Sequence, residues 1–258
     1  MQITLIGGPT ALLEIDGLRL LTDPTFDPAG SEFTYGPITL TKTAGPALSP
    51  DQIEPVDAVL LSHDQHFDNL DRSGRDFLPR TRTVLTTPAG AARLGGNALG
   101  PAPWQSATVT SSNNHAVLRI TSTPARHGPP GIEPVSGDVT GFVIQPAQQP
   151  QNAIYVTGDT VWYEGVAEVA HRFPIVAVVL FAGAAQIKAR GPVHLTMNSE
   201  DALSAALAFP NARFFPVHHH GWRHFSQSQQ TLIDAFAQHG LSARLRPLTP
   251  GIPQSLLD

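Results

Sequence analysis

The chain has 258 residues, a formal net charge of −5 and 41% hydrophobic residues, which is enough apolar material for a buried core. It contains no cysteine, so disulfides and thiolate metal sites are excluded, and any bound metal must be held by His, Asp and Glu. The acidic balance and the absence of a run of Lys or Arg argue against a surface that binds long nucleic acids.

The N-terminal residues lack the basic start and the long apolar core of a signal peptide. Elsewhere no apolar run approaches the roughly 20 residues that span a bilayer. We therefore expect a cytoplasmic protein with no membrane span, whose partner is a small-molecule substrate rather than a nucleic acid, and which could form a homo-oligomer.

The first predicted element is a β-hairpin. Residues 11–15 and 18–22 are two β-like runs joined by Asp16-Gly17, a dipeptide typical of two-residue hairpin turns. The second strand ends at Asp23-Pro24, where the proline stops the strand ladder. Residues 27–50 are rich in Pro, Gly and Thr and predict a long irregular loop, which we expect to border the functional pocket and to shape substrate entry.

The stretch at residues 59–71 carries the strongest chemical signal. A short apolar run predicts a strand, and two histidines and several carboxylates follow it in His63-Asp64-Gln65-His66-Phe67-Asp68. A helix is expected to open near residue 69. Imidazole nitrogen and carboxylate oxygen are ligands that zinc and its divalent neighbours prefer, so this turn predicts a cation site.

The rest of the chain alternates between short apolar runs and helical patterns. The predicted elements, in order, are a helix opened by Thr87-Pro88, a strand at 117–122, strands at 141–144 and 153–157, a fully buried strand at 176–181, a helix at 199–209 capped by Asn198, a strand at 213–217 and a helix at 229–239 ended by Gly240.

Five predicted strands are followed by a residue able to bind a metal, namely Asp23, His63, His127, Asp159 and His218. In layered α/β folds, sites collect at the carboxyl ends of strands, so these five could meet at one place. Simpler roles exist for two of them. His127 lies in a Pro- and Gly-rich loop where an isolated histidine is usually structural, and Asp159 could cap a helix that begins near Val161.

Taken in this order, these segments resemble the metallo-β-lactamase superfamily, and within it the branch that includes L-ascorbate-6-phosphate lactonase. The segments that carry the resemblance are the opening hairpin to Asp23-Pro24, residues 62–71, Ala125-Arg126-His127-Gly128, Thr157-Gly158-Asp159-Thr160, His194-Leu195-Thr196-Met197, and Pro216-Val217-His218 with Gly221-Trp222 and His224-Phe225. The resemblance implies one α/β domain over residues 1–258, a four-layer αββα sandwich of two mixed sheets flanked by helices, with the metal site along one edge.

The resemblance also implies a ligand set, with one departure. The family's first motif is His-x-His-x-Asp-His, whereas this chain matches only if one residue is inserted, which pairs His66 with the second histidine and Asn69 with the last. An ungapped alignment places Gln65 in the second position instead. The implied ligands are His63, His127 and either His66 or Gln65 for a first metal, Asp68 and His218 for a second, with Asp159 bridging. Asp23 takes the place of a buried aspartate that supports the ligand histidines.

The implied cofactor is a divalent metal, zinc or alternatively Mn²⁺ or Fe²⁺, with one or two ions bound. Such an ion lowers the pKa of bound water toward neutrality, so the resulting hydroxide replaces a nucleophilic side chain, and the sequence has no Gly-x-Ser-x-Gly elbow. By resemblance and spacing, Asp68 and His224 are the candidate catalytic residues: Asp68 orients the hydroxide or takes its proton, and His224 donates to the developing oxyanion or to the leaving group. His194 and Trp222 are the candidate substrate-binding residues.

Other polar residues near these motifs carry weaker expectations. Lys188 and Arg190 could receive an anionic substrate group. In the run His218-His219-His220 the three rings cannot all face one site, so we expect at least one of the last two to be exposed.

The function favoured by this pattern is metal-dependent hydrolysis of a small ester, lactone or phosphoester. One alternative is a phosphodiesterase or nuclease on the same scaffold. The other is a non-hydrolytic protein that binds a metal or a ligand, since the first motif has one histidine fewer than the family pattern.

Overall fold

The computed structural model describes residues 1–111, 116–187 and 191–257. Lys188 and Arg190, the expected receivers of an anionic group, lie outside the described residues. The strands are β1 (Gln2–Gly7), β2 (Thr10–Ile15), β3 (Leu18–Thr22), β4 (Glu32–Tyr35), β5 (Ile38–Thr41), β6 (Ala58–Leu60), β7 (Thr83–Leu85), β8 (Ala98–Leu99), β9 (Ser106–Thr110), β10 (Val117–Pro124), β11 (Thr140–Pro146), β12 (Ala153–Val156), β13 (Ile175–Phe181), β14 (Arg213–Val217) and β15 (Pro253–Ser255). The helices are α1 (Pro50–Ile53), α2 (Arg72–Phe77), α3 (Pro88–Leu94), α4 (Glu133–Ser136), α5 (Glu164–Arg172), α6 (Ser199–Ala208) and α7 (Gln229–Gln238).

Two mixed sheets form the centre of the structure. The first has seven strands in the order β15-β1-β2-β3-β6-β7-β8, and its pairs β3/β6, β6/β7 and β7/β8 are parallel. The second has six strands in the order β14-β13-β12-β11-β10-β9, with β12, β13 and β14 parallel. The strands β4 and β5 form a separate antiparallel hairpin.

The burial pattern stacks these elements in four layers. One apolar cluster joins the facing sides of the two sheets and includes Ile3 and Leu13 from the first and Ile144 and Phe215 from the second. A second cluster packs α5, α6 and α7 on the outer face of the second sheet, and a third packs α1 and α2 on the outer face of the first. The layer order is therefore helices, sheet, sheet, helices, as the αββα resemblance implies.

Local patterns in the sequence predicted most of these elements. The first hairpin is confirmed as β2 and β3, and its turn residues Asp16 and Gly17 both have positive φ, +51° and +82°, as a two-residue hairpin turn requires. The helix caps at Thr87 and Asn198 are confirmed, because each side chain accepts a hydrogen bond from a backbone N–H in the first turn. The strand predicted at 176–181 is β13, which is buried between parallel neighbours.

Two predictions of local structure were wrong, and some elements were missed. Residues 27–50 are not one irregular loop, because the hairpin of β4 and β5 lies within them and its apolar side chains Phe33, Ile38 and Leu40 are buried on one face. Strand β1 was not anticipated. Helix α2 begins at Arg72 rather than near residue 69, because the Asp71 side chain is its N-cap and accepts from the Gly74 amide.

The carboxylate of Asp71 also fastens the β4–β5 hairpin to the body of the fold. It accepts hydrogen bonds from the backbone amides of Phe26 and Asp27, and from the Lys42 ammonium at 2.9 Å. Lys42 and Asp71 are both buried. Burial outweighs the attraction of Asp71 and lowers the pKa of Lys42. Lys42 follows β5 directly, so this ion pair ties the base of the hairpin to the start of α2.

In the part of the chain that the structure describes, no helix has the length and apolar character needed to cross a membrane.

The close approach of α2 to the loop after β3 gives a test of the fold. A Cβ added at Gly74 would lie 1.8 Å from the Pro24 carbonyl oxygen, so Gly74→Ala must displace the helix. We expect a loss of unfolding free energy of more than about 2 kcal/mol, measured by urea denaturation. In the control variant Gly45→Ala, the nearest atom to the new Cβ is at 3.6 Å, and we expect a change below about 0.5 kcal/mol. Equal stability of the two variants would contradict this packing.

Candidate metal centre

The structure places five strand ends at one edge of the sandwich. Asp23 follows β3, His63 follows β6, His127 follows β10, Asp159 follows β12 and His218 follows β14. These side chains form a chain of short contacts rather than separate sites. The sheets dictate this arrangement, because β3 and β6 are parallel neighbours in one sheet, and β12, β13 and β14 are parallel in the other.

Three imidazoles form the first group, called here the histidine triad: His63, His66 and His127. The Nδ1 atom of His66 is 2.8 Å from Nε2 of His63 and 3.2 Å from Nε2 of His127. His63 and His127 are buried and His66 is half-buried. Three ring nitrogens pointing at a common centre are a ligand arrangement that zinc accepts.

Hydrogen bonds on the far side of two rings fix their tautomers. The Nδ1–H of His127 donates to the Leu195 carbonyl at 2.8 Å, which leaves the lone pair of Nε2 facing the other histidines. The Ser62 hydroxyl donates to Asp23 and so accepts from Nδ1 of His63 at 2.9 Å. The two Nε2 lone pairs therefore both face His66. Burial, followed by the proximity of His66, holds the pKa of His63 well below its usual value, so its ring is neutral and able to bind a metal.

The second group, called here the carboxylate triad, consists of Asp68, Asp159 and His218, all buried. Nδ1 of His218 is 2.7 Å from Oδ1 of Asp159, and its Nε2 is 3.5 Å from Oδ2 of Asp68. Asp159 also lies beside the histidine triad, with Oδ2 at 3.7 Å from Nε2 of His127. The two triads are therefore adjacent, and Asp159 stands between them.

Opposite charges hold the carboxylate triad in its ionised form. Burial opposes ionisation of Asp68 and Asp159, but the imidazoles of His224 and His218 outweigh it and hold both pKa values well below the usual range. Burial likewise opposes a charge on His218, yet the Asp159 and Asp68 carboxylates raise its pKa to about 10. The proton on His218 thus does what a bound cation would do, and a metal that binds here displaces it.

Unpartnered atoms indicate that a cation fits this centre. Oδ2 of Asp159 and Nε2 of His218 are both buried and have no hydrogen-bond partner among the described residues. Buried polar atoms are nearly always paired, so two such atoms of one triad without partners indicate room for a further group, and once the His218 proton is displaced both atoms offer a lone pair to a cation. The residues present therefore fit the divalent metal that the resemblance implies.

The structure distinguishes between His66 and Gln65 as the third member of the histidine group. His66 lies in the histidine triad, while the Gln65 side chain is exposed and lies against Gly137. Asn69, which stands where the family pattern has a histidine, is fully buried and donates from Nδ2 to Asp23 at 3.0 Å. Asp159 does not cap a helix, because α5 begins five residues later, at Glu164, and its N-cap is Tyr163.

A narrow pocket opens beside the two triads. Its space is about 20 Å³, enough for one water molecule. It is lined by Tyr35, Ile38, Leu40, His66, Asp68, His127, Ser136, Ala185, Ile187, Leu195 and His224. Three of these lie in residues 27–50, so the prediction that this segment borders the pocket is confirmed. The wall also contains His224, whose Nε2 donates to Oδ2 of Asp68 at 2.9 Å.

His194 and Trp222 were expected to bind substrate, and that expectation stays a prediction. Among the described residues that line the pocket, neither His194 nor Trp222 is present. The His194 ring turns instead toward Asp201 in the first turn of α6, at 3.1 Å, and that hydrogen bond raises its pKa. Trp222 is buried beneath the β4–β5 hairpin against Phe33, with the Lys42 ammonium 5.5 Å from its ring. It supports residues that line the pocket without reaching it.

The expectation that His219 or His220 is exposed was also wrong. His219 is buried, and its Nε2 is 3.0 Å from Oε1 of Gln229. Burial lowers the pKa of His219 to about 4. His220 is half-buried. The backbone at His218 has a φ of +56°, in the left-handed region, so the run does not continue as a regular strand through the three histidines.

Sequence reasoning gave no role to Ser62, Leu195 or Lys42. Ser62 links Asp23 to His63, and the Leu195 carbonyl fixes His127. A serine directly before the first motif histidine was a usable signal, because a hydroxyl can relay between a carboxylate and an imidazole. A backbone carbonyl and a lysine 29 positions from its partner leave no comparable local signal.

The sequence matches the family described as beta-lactamase superfamily domain over residues 18–219. The chain is 25% identical over 254 residues to the UPF0173 protein YddR of Bacillus subtilis (strain 168), a match that covers 95% of this chain and 96% of that protein. It is also 25% identical over 254 residues to a UPF0173 metal-dependent hydrolase of Exiguobacterium sp. (strain ATCC BAA-1283 / AT1b), covering 93% and 96% of the two chains.

The fold has a similar solved structure. The crystal structure of isothiocyanate hydrolase from Delia radicum gut bacteria superposes with a TM-score of 0.83 at 23% sequence identity, and the match covers 99% of this chain and 98% of that one. At this identity the likeness shows the fold, which agrees with the four layers described above. The chain therefore belongs to the β-lactamase superfamily, and its αββα architecture is the metallo-β-lactamase fold.

Proposed function

We propose that the protein is a metal-dependent hydrolase of small, uncharged esters or lactones. The observation that carries the proposal is the pair of adjacent triads at the base of a narrow pocket, with unpartnered lone-pair donors on Asp159 and His218. The relative from Exiguobacterium is described as a metal-dependent hydrolase, which supports the same class of reaction.

His63, His66 and His127 would hold one ion, and Asp68, Asp159 and His218 a second. Zinc suits the all-nitrogen triad. When bound, a divalent ion lowers the pKa of water toward neutrality and polarises the oxygen of the bond under attack. No serine or cysteine nucleophile is then required, in agreement with the absence of cysteine from the sequence.

The pocket walls supply the remaining chemistry. Because Asp68 is ionised, it can only accept, and it therefore keeps a proton on Nε2 of His224. That N–H can also donate a hydrogen bond to negative charge that develops on the leaving-group oxygen. The apolar side chains of Ile38, Leu40 and Leu195 exclude water and receive the carbon skeleton of the substrate.

The charge of the lining favours an uncharged substrate over a phosphoester. Among the described residues that line the pocket there is no Lys or Arg. A phosphoryl group would depend on the bound ions alone to offset its charge, with no side-chain cation beside it. The phosphodiesterase or nuclease alternative therefore has less support than an esterase or lactonase.

The first test concerns the metal ligands. Replacing His66 with Ala removes one of the three nitrogens of the histidine triad, whereas Gln65→Ala removes an exposed side chain next to it in sequence. We expect metal affinity at this triad to fall by more than about 100-fold in His66→Ala, as judged by elemental analysis after dialysis, and to be unchanged in Gln65→Ala. The reverse order would show that the turn at residues 63–69 binds metal differently.

The second test concerns catalysis. The purified protein is assayed on an aryl acetate, a γ-lactone, an aryl isothiocyanate and a bis-aryl phosphodiester, the isothiocyanate being suggested by the structurally similar hydrolase. We expect turnover of the acetate or the lactone, its loss after chelation, and no turnover of the phosphodiester. His224→Gln should lower kcat by about 10² to 10⁴-fold while metal content stays the same. Phosphodiester cleavage alone would overturn the substrate class, and bound metal without any turnover would favour a binding protein.

The third test concerns the β4–β5 hairpin, which forms one wall of the pocket. Leu40→Ala removes side-chain volume from the pocket, whereas Thr34→Ala changes an exposed side chain of the same hairpin. We expect Leu40→Ala to raise kcat/KM for longer acyl chains relative to acetate by about tenfold or more, because one methylene in an apolar pocket is worth about 1–3 kcal/mol. Thr34→Ala should keep the original chain-length profile. Identical profiles for both variants would remove the hairpin from substrate selection.

A further inference from the structure

A wider groove adjoins the narrow pocket and is lined by residues 37–41, 186–187 and 223–226. The pocket has room for one water molecule, so it can admit the bond that reacts but not the body of a substrate. The groove encloses about 530 Å³, within the usual range for sites that hold a small organic ligand. Four residues line both spaces: Ile38, Leu40, Ile187 and His224. A substrate whose reacting group enters the pocket therefore has its remaining atoms in the groove.

Backbone hydrogen bonds hold residues 223–226 between the other two segments of the groove. The Arg223 amide donates to the Thr41 carbonyl at the end of β5, at 3.0 Å. The Gln186 amide donates to the His224 carbonyl at 2.9 Å. The groove is therefore built around the segment that carries the candidate catalytic histidine.

Phe225 joins the groove to the carboxylate triad. Its ring centroid is 4.8 Å from that of His218 and 4.7 Å from that of His224. The half-buried Phe225 ring also lines the groove. The other apolar side chains of the lining are those of Pro37, Ile38, Leu40 and Ile187. An apolar arm that leaves the triad along Phe225 can thus remain in contact with apolar surface, which favours its binding.

Arg223 gives this groove a positive charge. Among the described residues that line the groove there is no Asp, Glu or Lys, and Arg223 is the one arginine. Its side chain is exposed, and its guanidinium makes no hydrogen bond or ion pair with any described residue. By contrast, the exposed Arg93 is paired with Asp64. An unpaired guanidinium in a groove without acidic residues fits an anion that the ligand brings, and its planar fork matches a carboxylate.

We propose that the groove binds a substrate arm that is apolar along its length and ends in a carboxylate, which Arg223 receives. This inference rests on the proposed function and narrows its substrate class. The ester or lactone group that enters the narrow pocket is uncharged, and the negative charge lies at the far end of the arm. Arg223 then selects substrates through a part of the molecule that does not react.

The test compares esters that differ only at the end of the arm. One pair is the mono-para-nitrophenyl ester of suberic acid with para-nitrophenyl octanoate, and a shorter pair is the adipic acid monoester with the hexanoate. The two members of each pair have acyl chains of equal length. The kcat/KM of the metal-loaded protein is measured by release of para-nitrophenol in the wild type, Arg223→Gln and Arg223→Lys. Arg82→Gln is the control, because Arg82 is exposed and does not line the groove.

We expect the wild type to prefer the carboxylate-ended member of at least one pair by at least about fivefold in kcat/KM, because a two-point contact between arginine and carboxylate is stronger than an isolated surface ion pair. Arg223→Gln should bring this ratio to about one, whereas Arg223→Lys should keep part of it, since lysine retains the charge without the planar fork. Arg82→Gln should keep the wild-type ratio. Raising the salt concentration from about 0.05 M to about 0.5 M should lower the wild-type ratio, because exposed charges are screened.

Several outcomes would overturn the inference. Turnover of both pairs with a wild-type ratio at or below one would remove Arg223 from substrate selection and leave the proposed hydrolase intact. An equal fall of the ratio in Arg223→Gln and Arg82→Gln would assign the preference to general surface charge. Hydrolysis of the acetate or the lactone but of neither pair would mean that the groove holds no such arm, whereas no hydrolysis of any ester or lactone would end both proposals. If circular dichroism shows Arg223→Gln to be unfolded, a wild-type ratio that salt does not change overturns the inference.

Discussion

The buried carboxylate of Asp23 is the contact on which the metal centre depends. It accepts from the Ser62 amide at 2.6 Å, from the Ser62 hydroxyl at 2.7 Å and from Asn69. Burial outweighs these bonds and raises the pKa of Asp23 to about 7. Through Ser62 the carboxylate orients His63, and through Asn69 it holds the turn that carries Asp68. One side chain at the end of β3 thus positions members of both triads, and its φ of +27° shows that the backbone is constrained to bring it there.

The centre also has a charge requirement that the fold alone does not meet. Two ionised carboxylates in a buried site need opposite charge nearby, and without a metal the proton on His218 supplies only part of it. A divalent ion supplies more charge than one proton and reaches the lone pairs that the proton leaves unpartnered. The same burial makes the site selective, because an ion must replace its hydration shell with the fixed ligands of the triads.

The sequence predicted the elements that depend on local pattern. Strand runs of apolar residues, the Asp16-Gly17 turn and the caps at Thr87 and Asn198 each act over a few residues, so they could be identified without the fold. The meeting of Asp23, His63, His127, Asp159 and His218 could be anticipated because parallel strands bring their carboxyl ends to one edge.

Local sequence pattern could not predict the side-chain orientations and long-range contacts that depend on the tertiary structure. His66 rather than Gln65 reaches the other histidines because the turn backbone rotates one side chain inward and the other outward. His194 was expected to bind substrate, and its ring contacts Asp201 in the first turn of α6, a contact that local pattern did not predict. The Gly and Pro content of this segment indicated a loop, and the apolar face of the β4–β5 hairpin packs against residues distant in sequence such as Trp222 and Phe225.

One residue, Asp71, contacts both the β4–β5 hairpin and the helix that follows the turn with His66 and Asp68. The position of the hairpin at the pocket is therefore coupled to the geometry of the candidate metal centre. Asp71 caps α2 immediately after the turn that carries His66 and Asp68, and the same carboxylate binds Lys42 at the base of the hairpin. Breaking a buried ion pair costs about 3–5 kcal/mol, because it leaves a charge uncompensated. A movement of the hairpin base away from α2 would require that cost. The hairpin is therefore held in register with the two triads, and the apolar side chains of Ile38 and Leu40 keep the surroundings of the triads poor in water, where charge interactions are strongest.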